Sequence, residues 1–360
     1  MPQIFRSTLT PPLVTLLGLT AGCATATARQ PAPPAENPIP AVVEEAWLAT
    51  FGAADNVDSV AVAADHGWII ATTKGTHQLL VLDLATGDLV RRVGAPGAGP
   101  GQFARPNGIA VVGDVVLVVE RDNHRVQVLR LPTFEPIGMV GQDDLERPYG
   151  IAAVATGAET IDLWVTDNFA WDPTDEASRA RLAERIRGYR LVDGAGGLES
   201  SLTATFGDIE GRGALHKVET IAADVARDVL LIADEDPDRM GLLVYTLDGA
   251  FTGSVIGEGL YEAEPEGVAL WPDGPGGVWI ATDQHDRRSV FHLIDRETWD
   301  PVGSITGAVT ANTDGIAATA VASDRFPVGA LFAVHDDIGV AAFDWRDVLQ
   351  ALDGGGGVNT

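Results

Sequence analysis

An all-β fold, a six-bladed β-propeller, is predicted by three observations. Short β-rich runs recur along the chain, each led in by a Gly or polar turn. The runs fall into six sets spaced about 45–55 residues apart, the period at which self-similarity signals propeller blades. The amphipathic helices that an α/β enzyme needs between its strands are nearly missing; stretch 177–187 is the best candidate, a short helix in a loop.

The sets follow in order. The first comprises 59–62, 68–72 and 79–82, and the second 108–112, 115–120 and 125–129. The third comprises 150–154, 163–166 and 186–191, and the fourth 220–223, 229–233 and 242–247. The fifth comprises 267–270, 278–281 and 290–294, and the sixth 315–320, 330–334 and 338–343. One such unit cannot bury both faces of its sheet. Six in a ring bury them all and leave only short edges. An unrelated β-sandwich fits the period less well. The propeller is expected over residues 45–352, with a flexible tail over 353–360.

Residues 1–22 read as an export signal: Arg6 is the one charge, followed by an apolar stretch too short for a normal membrane span. Leu19-Thr20-Ala21-Gly22-Cys23 resembles a bacterial lipoprotein signal, with Cys23 freed for lipidation; a plain secretory signal is the alternative. Residues 23–44, rich in Ala and Pro, read as a linker. The expectation is an exported protein, lipid-anchored in the cell envelope (outer membrane, periplasm or cell surface). It would touch membrane only through Cys23 and act as a monomer.

The chain holds 51 acidic against 24 basic residues, for a net charge of −27. Such a chain repels DNA and RNA, so no nucleic-acid partner is expected. It also repels a polyphosphate unless cations lie between the two. With one cysteine, no intramolecular disulfide or Cys-based zinc site can form. No nucleophile elbow, P-loop or dinucleotide fingerprint is present.

The second unit runs Gly94-Ala95-Pro96-Gly97, Gly101-Gln102-Phe103, Arg105-Pro106-Asn107-Gly108-Ile109 and Asp122-Asn123-His124-Arg125-Val126. It resembles an NHL repeat, a module of six-bladed propellers that mostly bind partners. The whole body is similar to the β-propeller phytases. The similarity is carried by Glu264-Pro265-Glu266-Gly267-Val268, Ile280-Ala281-Thr282-Asp283-Gln284, Asn312-Thr313-Asp314-Gly315-Ile316, the stretch 326–336 and Phe343-Asp344-Trp345-Arg346-Asp347.

That resemblance implies a phosphoric monoester hydrolase: Ca²⁺-dependent removal of phosphate from inositol hexakisphosphate (a 3-phytase activity) or another phosphate monoester. It implies calcium ligands at Glu219, Glu235, Glu264, Glu266 and Asp314. It implies phosphate contacts at Lys74, Arg121 and Tyr149, which with Glu219 make the catalytic set. The residue types suit the chemistry. Clustered divalent cations screen the phosphate and lower the pKa of a bound water, and Ca²⁺ takes oxygen ligands such as these carboxylates. Arg offers a planar donor fork and Lys a point charge.

Blander readings stand beside these. Acidic residues at strand ends also serve as solvated turns. Tyr149 suits packing between blades, Lys74 a turn, and Arg121 a surface pair with Asp122 or Glu120. His285 and His335 lie near the expected face and suit structural or exposed roles as well, and Asp336 is a weaker ligand candidate. Two rival functions follow: a non-catalytic NHL-type binding propeller, and a calcium-dependent lactonase-like hydrolase.

The chain departs from the phytase pattern at four places. Val57-Asp58-Ser59 keeps one of two expected aspartates and no proline, which weakens the expectation of a structural calcium. Asp167-Asn168 replaces a second phosphate-binding lysine, and Ala308 replaces an aspartate. An insertion over 169–187 carries Trp171 with Arg179, Arg181, Arg185 and Arg187, which could bring new basic groups to the rim or reshape the site for another ester.

Overall fold

The computed structural model describes residues 39–355. The signal segment, Cys23, most of the linker and the last five residues lie outside the described residues.

The described chain is a six-bladed β-propeller. The first four blades are antiparallel sheets of four strands in sequence order from the axis outward; the fifth adds an N-terminal strand at its outer edge, and the sixth takes its outer strand from the N-terminal end. The first blade is Val57–Ala63, Trp68–Thr73, Gln78–Asp83 and Leu89–Val93. The sixth takes Ile316–Thr319, Ala330–His335 and Gly339–Asp344 from the C-terminal end and its outer strand, Trp47–Thr50, from the N-terminal end. That pairing, Trp47 opposite Ala342 and Thr50 opposite Gly339, closes the ring.

Burial explains which strands could be read from sequence. Second strands such as Val115–Glu120 and Val229–Asp234 are buried along their whole length, because neighbouring blades cover both faces. They appear as continuous apolar runs. Outer strands such as Gly197–Phe206 are mostly exposed and polar. The sequence reading therefore found three strands per blade and missed the fourth. There are six cores, one between each pair of adjacent blades. Ile70, Leu79 and Val81 of the first blade meet Val116, Val118 and Leu129 of the second. Val57, Leu80 and Leu82 meet Phe332, Val334 and Ala342 across the closing junction. Each such buried Leu or Val contributes about 1.5–3 kcal/mol.

Three boundaries differ from the sequence reading. The expected linker to residue 44 contains a strand, Ala41–Val43, parallel to Pro301–Gly307. It occupies the outer edge of the fifth blade, whose backbone groups would otherwise lack partners. The expected flexible tail from 353 overlaps a helix, Trp345–Gly355, whose Trp345 stacks on Trp271 with ring centroids 4.7 Å apart. The expected helix over 177–187 is shorter: Glu176–Ala180, capped by the Asp175 side chain, then a 3-10 turn Arg181–Glu184. It stops because Ile186–Gly194 is claimed by the third blade, with Thr166 paired to Ile186.

Buried ion pairs brace the ring. Arg296 makes a two-pronged contact with Asp224 on the preceding blade, at 2.6 and 2.7 Å. Asp55 accepts from Arg92 at 2.6 and 2.9 Å and from Thr76 at 2.8 Å. Arg92 holds the Asp55 carboxyl below the ordinary 3.8 against the opposing effect of burial. A folded pKa below the unfolded one means the stabilisation is present above 3.8 and is lost as pH falls through the lowered value. Asp55→Asn is expected to lower the urea midpoint at pH 6 and to lose less on acidification to pH 3 than the parent does. Parallel pH profiles for the two proteins would remove Asp55 as the cause.

Candidate metal centre

Every blade starts at the axis in the same way. In the first five inner strands the ladder register shifts near the start of the strand, between a Val or Pro and a β-branched residue three further on: Val57/Val60, Pro106/Ile109, Pro148/Ile151, Val218/Ile221 and Pro265/Val268. Such a bulge re-aims a side chain. The re-aimed positions, with their sixth-blade equivalent, are Asp58, Asn107, Tyr149, Glu219, Glu266 and Asp314, one per blade. Below them Val60, Ile109, Ile151, Ile221, Val268 and Ile316 line the throat of the channel. The polar ring therefore sits above a narrow throat of Val and Ile side chains and glycine backbone.

The small residue after each ring position allows the blades to meet. A Cβ on Gly150 would overlap the Glu219 carbonyl oxygen, and one on Gly108 would crowd that of Tyr149 at 2.5 Å. Thr166 stitches the same junction: its hydroxyl accepts from Gly150 N–H at 2.8 Å and donates to the Glu219 carbonyl at 3.1 Å. Gly150→Ala is expected to cost about 3 kcal/mol, at the upper end of overpacking effects. Gly196→Ala, in open space, should stay within about 0.5 kcal/mol. Denaturant midpoints compare them, and equal midpoints would contradict the close approach.

A second ring follows the second strands: Lys74, Arg121, Asn168, Glu235, Gln284 and Asp336. The residue before several of these is an acid that fastens the loop leading into its own blade. Asp167 accepts from the N–H of Glu146 and Arg147, Asp234 from His216 and Lys217, and Asp283 from Glu262 and Ala263.

The two rings converge. Carboxylate oxygens of Glu219, Glu235 and Glu266 lie within 4.8 Å of one another. Burial, then the neighbouring Glu219, pushes Glu235 up to about 9, although Lys217 opposes this. Burial first, then Glu235 and Asp314, puts Glu266 well above the carboxylate range, and burial also raises Glu219. Across the mouth Lys74 Nζ lies 2.6 Å from Asp58 and 3.5 Å from Asp314. Burial works against the Lys74 charge, but Asp58 and Asp314 outweigh it and hold it above the usual lysine range. Asp314 itself is pushed up to about 8 by burial and by Asp58. Tyr149 donates to Asp58 at 3.4 Å and bonds Glu219. Asn168 donates to Glu219 at 3.0 Å and Gln284 to Asp314 at 2.7 Å.

The mouth thus has two sectors. Lys74 neutralises Asp58 and Asp314. Among the described residues the cation paired with the three glutamates is Lys217, 2.7 Å from Glu235 and also 3.6 Å from Glu264, while Lys74 acts on Glu219 from across the mouth. An oxygen-only, electron-rich, partly buried donor set with excess negative charge fits Ca²⁺, which takes 6–8 oxygens. It does not suit a soft metal.

An NHL-repeat family model matches residues 103–129. The matched NHL repeat is the second blade from its inner strand to its third. Among solved structures the chain is similar to one titled "Crystal structure of Nidogen/Laminin Complex". The identity is 14% over 76% of this chain and 88% of that one, with a TM-score of 0.46. No curated protein matches the chain.

Of the residues singled out from sequence, Glu219, Glu235, Glu266, Asp314, Lys74 and Tyr149 meet at the mouth. Two do not. The Glu264 side chain is 45% exposed and stands at the edge of the cluster, sharing Lys217 with Glu235 and adding a like charge beside it. Arg121, in the NHL repeat, holds a second-ring position, but its guanidinium pairs with Asp122 at 2.8 Å. Both residues lie at strand ends facing solvent, where a local partner wins. Asp58, Asn168 and Gln284 belong at the mouth and were not assigned there. Their shared register in the blade repeat was the available signal. His285 binds Asp283 and His335 accepts from Ala311 N–H, so each anchors a loop.

The insertion arginines do not form a basic rim. Arg185 is 1% exposed and donates to the carbonyls of Leu215, Asp167, Phe169 and His216, a staple between the third and fourth blades. Burial pushes its pKa down to about 10. Arg181 pairs with Glu146 and Arg187 with Glu184.

Proposed function

We propose that this propeller is a calcium-dependent hydrolase of phosphate monoesters acting at the acidic mouth of its channel. Inositol hexakisphosphate is the substrate to test first. The observation that carries the reading is the close approach of the Glu219, Glu235 and Glu266 carboxylates, with Lys217 as the cation paired among them. Like charges at this separation in a buried setting call for a cation. When bound there, calcium supplies charge screening for a phosphate and a water of lowered pKa.

The chain's own groups do the rest. Glu219, Glu235 and Glu266 would hold the ion, with Asp314 beside them. Asn168 and Gln284 fix the carboxylate orientations through their amides. Tyr149, raised well above the usual tyrosine range by burial and by Asp58, keeps its proton and donates it as a hydrogen bond. Lys74 presents an ammonium to a phosphate oxygen from the opposite sector.

Two measurements test this. Terbium luminescence, competed by Ca²⁺, reads ion binding. Phosphate release from inositol hexakisphosphate with Ca²⁺ and with chelator reads activity. Ion binding with chelator-sensitive release is the expected result. Release insensitive to chelator rejects the calcium mechanism. The second reading, a non-catalytic binding propeller, is favoured by the NHL match and by Arg121 being committed to Asp122; ion binding without release from any phosphate ester or lactone would select it. The proposed setting is the cell envelope, and Cys23→Ser should move the protein from the membrane to the soluble fraction.

A further inference from the structure

We propose that a cavity on the fifth blade, separate from the channel mouth, binds a small organic carboxylate with an apolar body. The cavity measures about 600 Å³, within the range of small-molecule sites. Pro40, Leu260 and Val290 give it an apolar wall.

Two features select the head group. His292 is 5% exposed and its Nδ1 pairs with Ser304 Oγ at 2.9 Å, but its buried Nε2 has only a long contact, to Asp283. The nearest carboxylate, on Asp283, lies 3.8 Å away and is already engaged by two backbone N–H groups and His285. A buried polar atom left unpaired costs stability unless something fills the role. Arg287 and Arg288, adjacent on the cavity lining, are exposed and make no ion pair or hydrogen bond among the described residues. Most other arginines of this acidic chain are paired, Arg92, Arg125, Arg190 and Arg296 among them. Free guanidinium forks match planar oxyanions. Glu262 and Asp283 also line the cavity, so the local charge suits a monoanion better than a dianionic phosphate.

The probe is 2-naphthoate, titrated by calorimetry in the presence of chelator, with neutral 2-naphthamide as its control. Saturable one-to-one binding of the carboxylate is expected, at least about tenfold tighter than the amide. Arg287→Ala/Arg288→Ala should weaken it by about tenfold or more with an unchanged melting temperature, since both side chains are exposed. Val290→Trp, which fills the cavity, should abolish it. Glu266→Gln should leave it unchanged, which separates this site from the metal centre. Absence of saturable binding at millimolar 2-naphthoate would overturn the proposal. So would affinity that is indifferent to the double arginine variant and to the tryptophan.

Discussion

Glu266→Gln is expected to lower calcium affinity by about 10- to 100-fold, because affinity follows the charge count of the ligands. Calcium-dependent phosphate release should fall on the order of 100-fold or more with it. Glu266 is 6% exposed and shares its site with Glu219 and Glu235. Gln keeps the volume and one carbonyl oxygen but removes a charge from a crowded, buried cluster. The chelated variant should therefore melt at or above the parent temperature, while the calcium-induced rise in melting temperature disappears. That pattern distinguishes a lost ligand from a damaged fold. Parent-like calcium affinity in Glu266→Gln would take this residue out of the centre, and undiminished calcium-dependent release would mean that hydrolysis does not depend on Glu266.

Lys74→Met should cost about 3–5 kcal/mol of stability, the usual price of stranding a buried charge. Asp58 is fully buried, and Lys74 is its closest cation at 2.6 Å. The loss should be largely reversed in Asp58→Asn/Lys74→Met, since both charges then leave together. Denaturant midpoints of the two single variants and the double complete the cycle. A cost below about 1 kcal/mol for Lys74→Met would mean that Asp58 is solvated through the mouth. The centre would then be open to water on both sectors.

Much of the ring was legible before any coordinates. The Val115–Glu120 and Val229–Asp234 strands announce themselves because both of their faces are covered. The outer Gly197–Phe206 strand does not, since its exposed serines and threonines resemble a loop. Ala41–Val43 and the helix Trp345–Gly355 were missed for a related reason. Each is stabilised by the fifth blade, which comes from the distant stretch 264–307, and no local pattern encodes that contact.

At the mouth, it was the resemblance to the phytases that singled out Glu219, Glu235, Glu264, Glu266 and Asp314 as calcium ligands. It could not separate Glu266, buried among like charges, from Glu264, two residues earlier and 45% exposed. Nor could it show that Arg185 turns inward to four carbonyls while Arg121 folds onto its neighbour. Hydrophobic periodicity and turn chemistry act over a few residues, so they specify strands, their order and which residue starts each blade. Which side chains face one another depends on ring closure through Trp47–Thr50 and on the bulges that turn six separate positions toward one axis. The charge balance of the centre is set there, between groups as distant in sequence as Lys74 and Asp314.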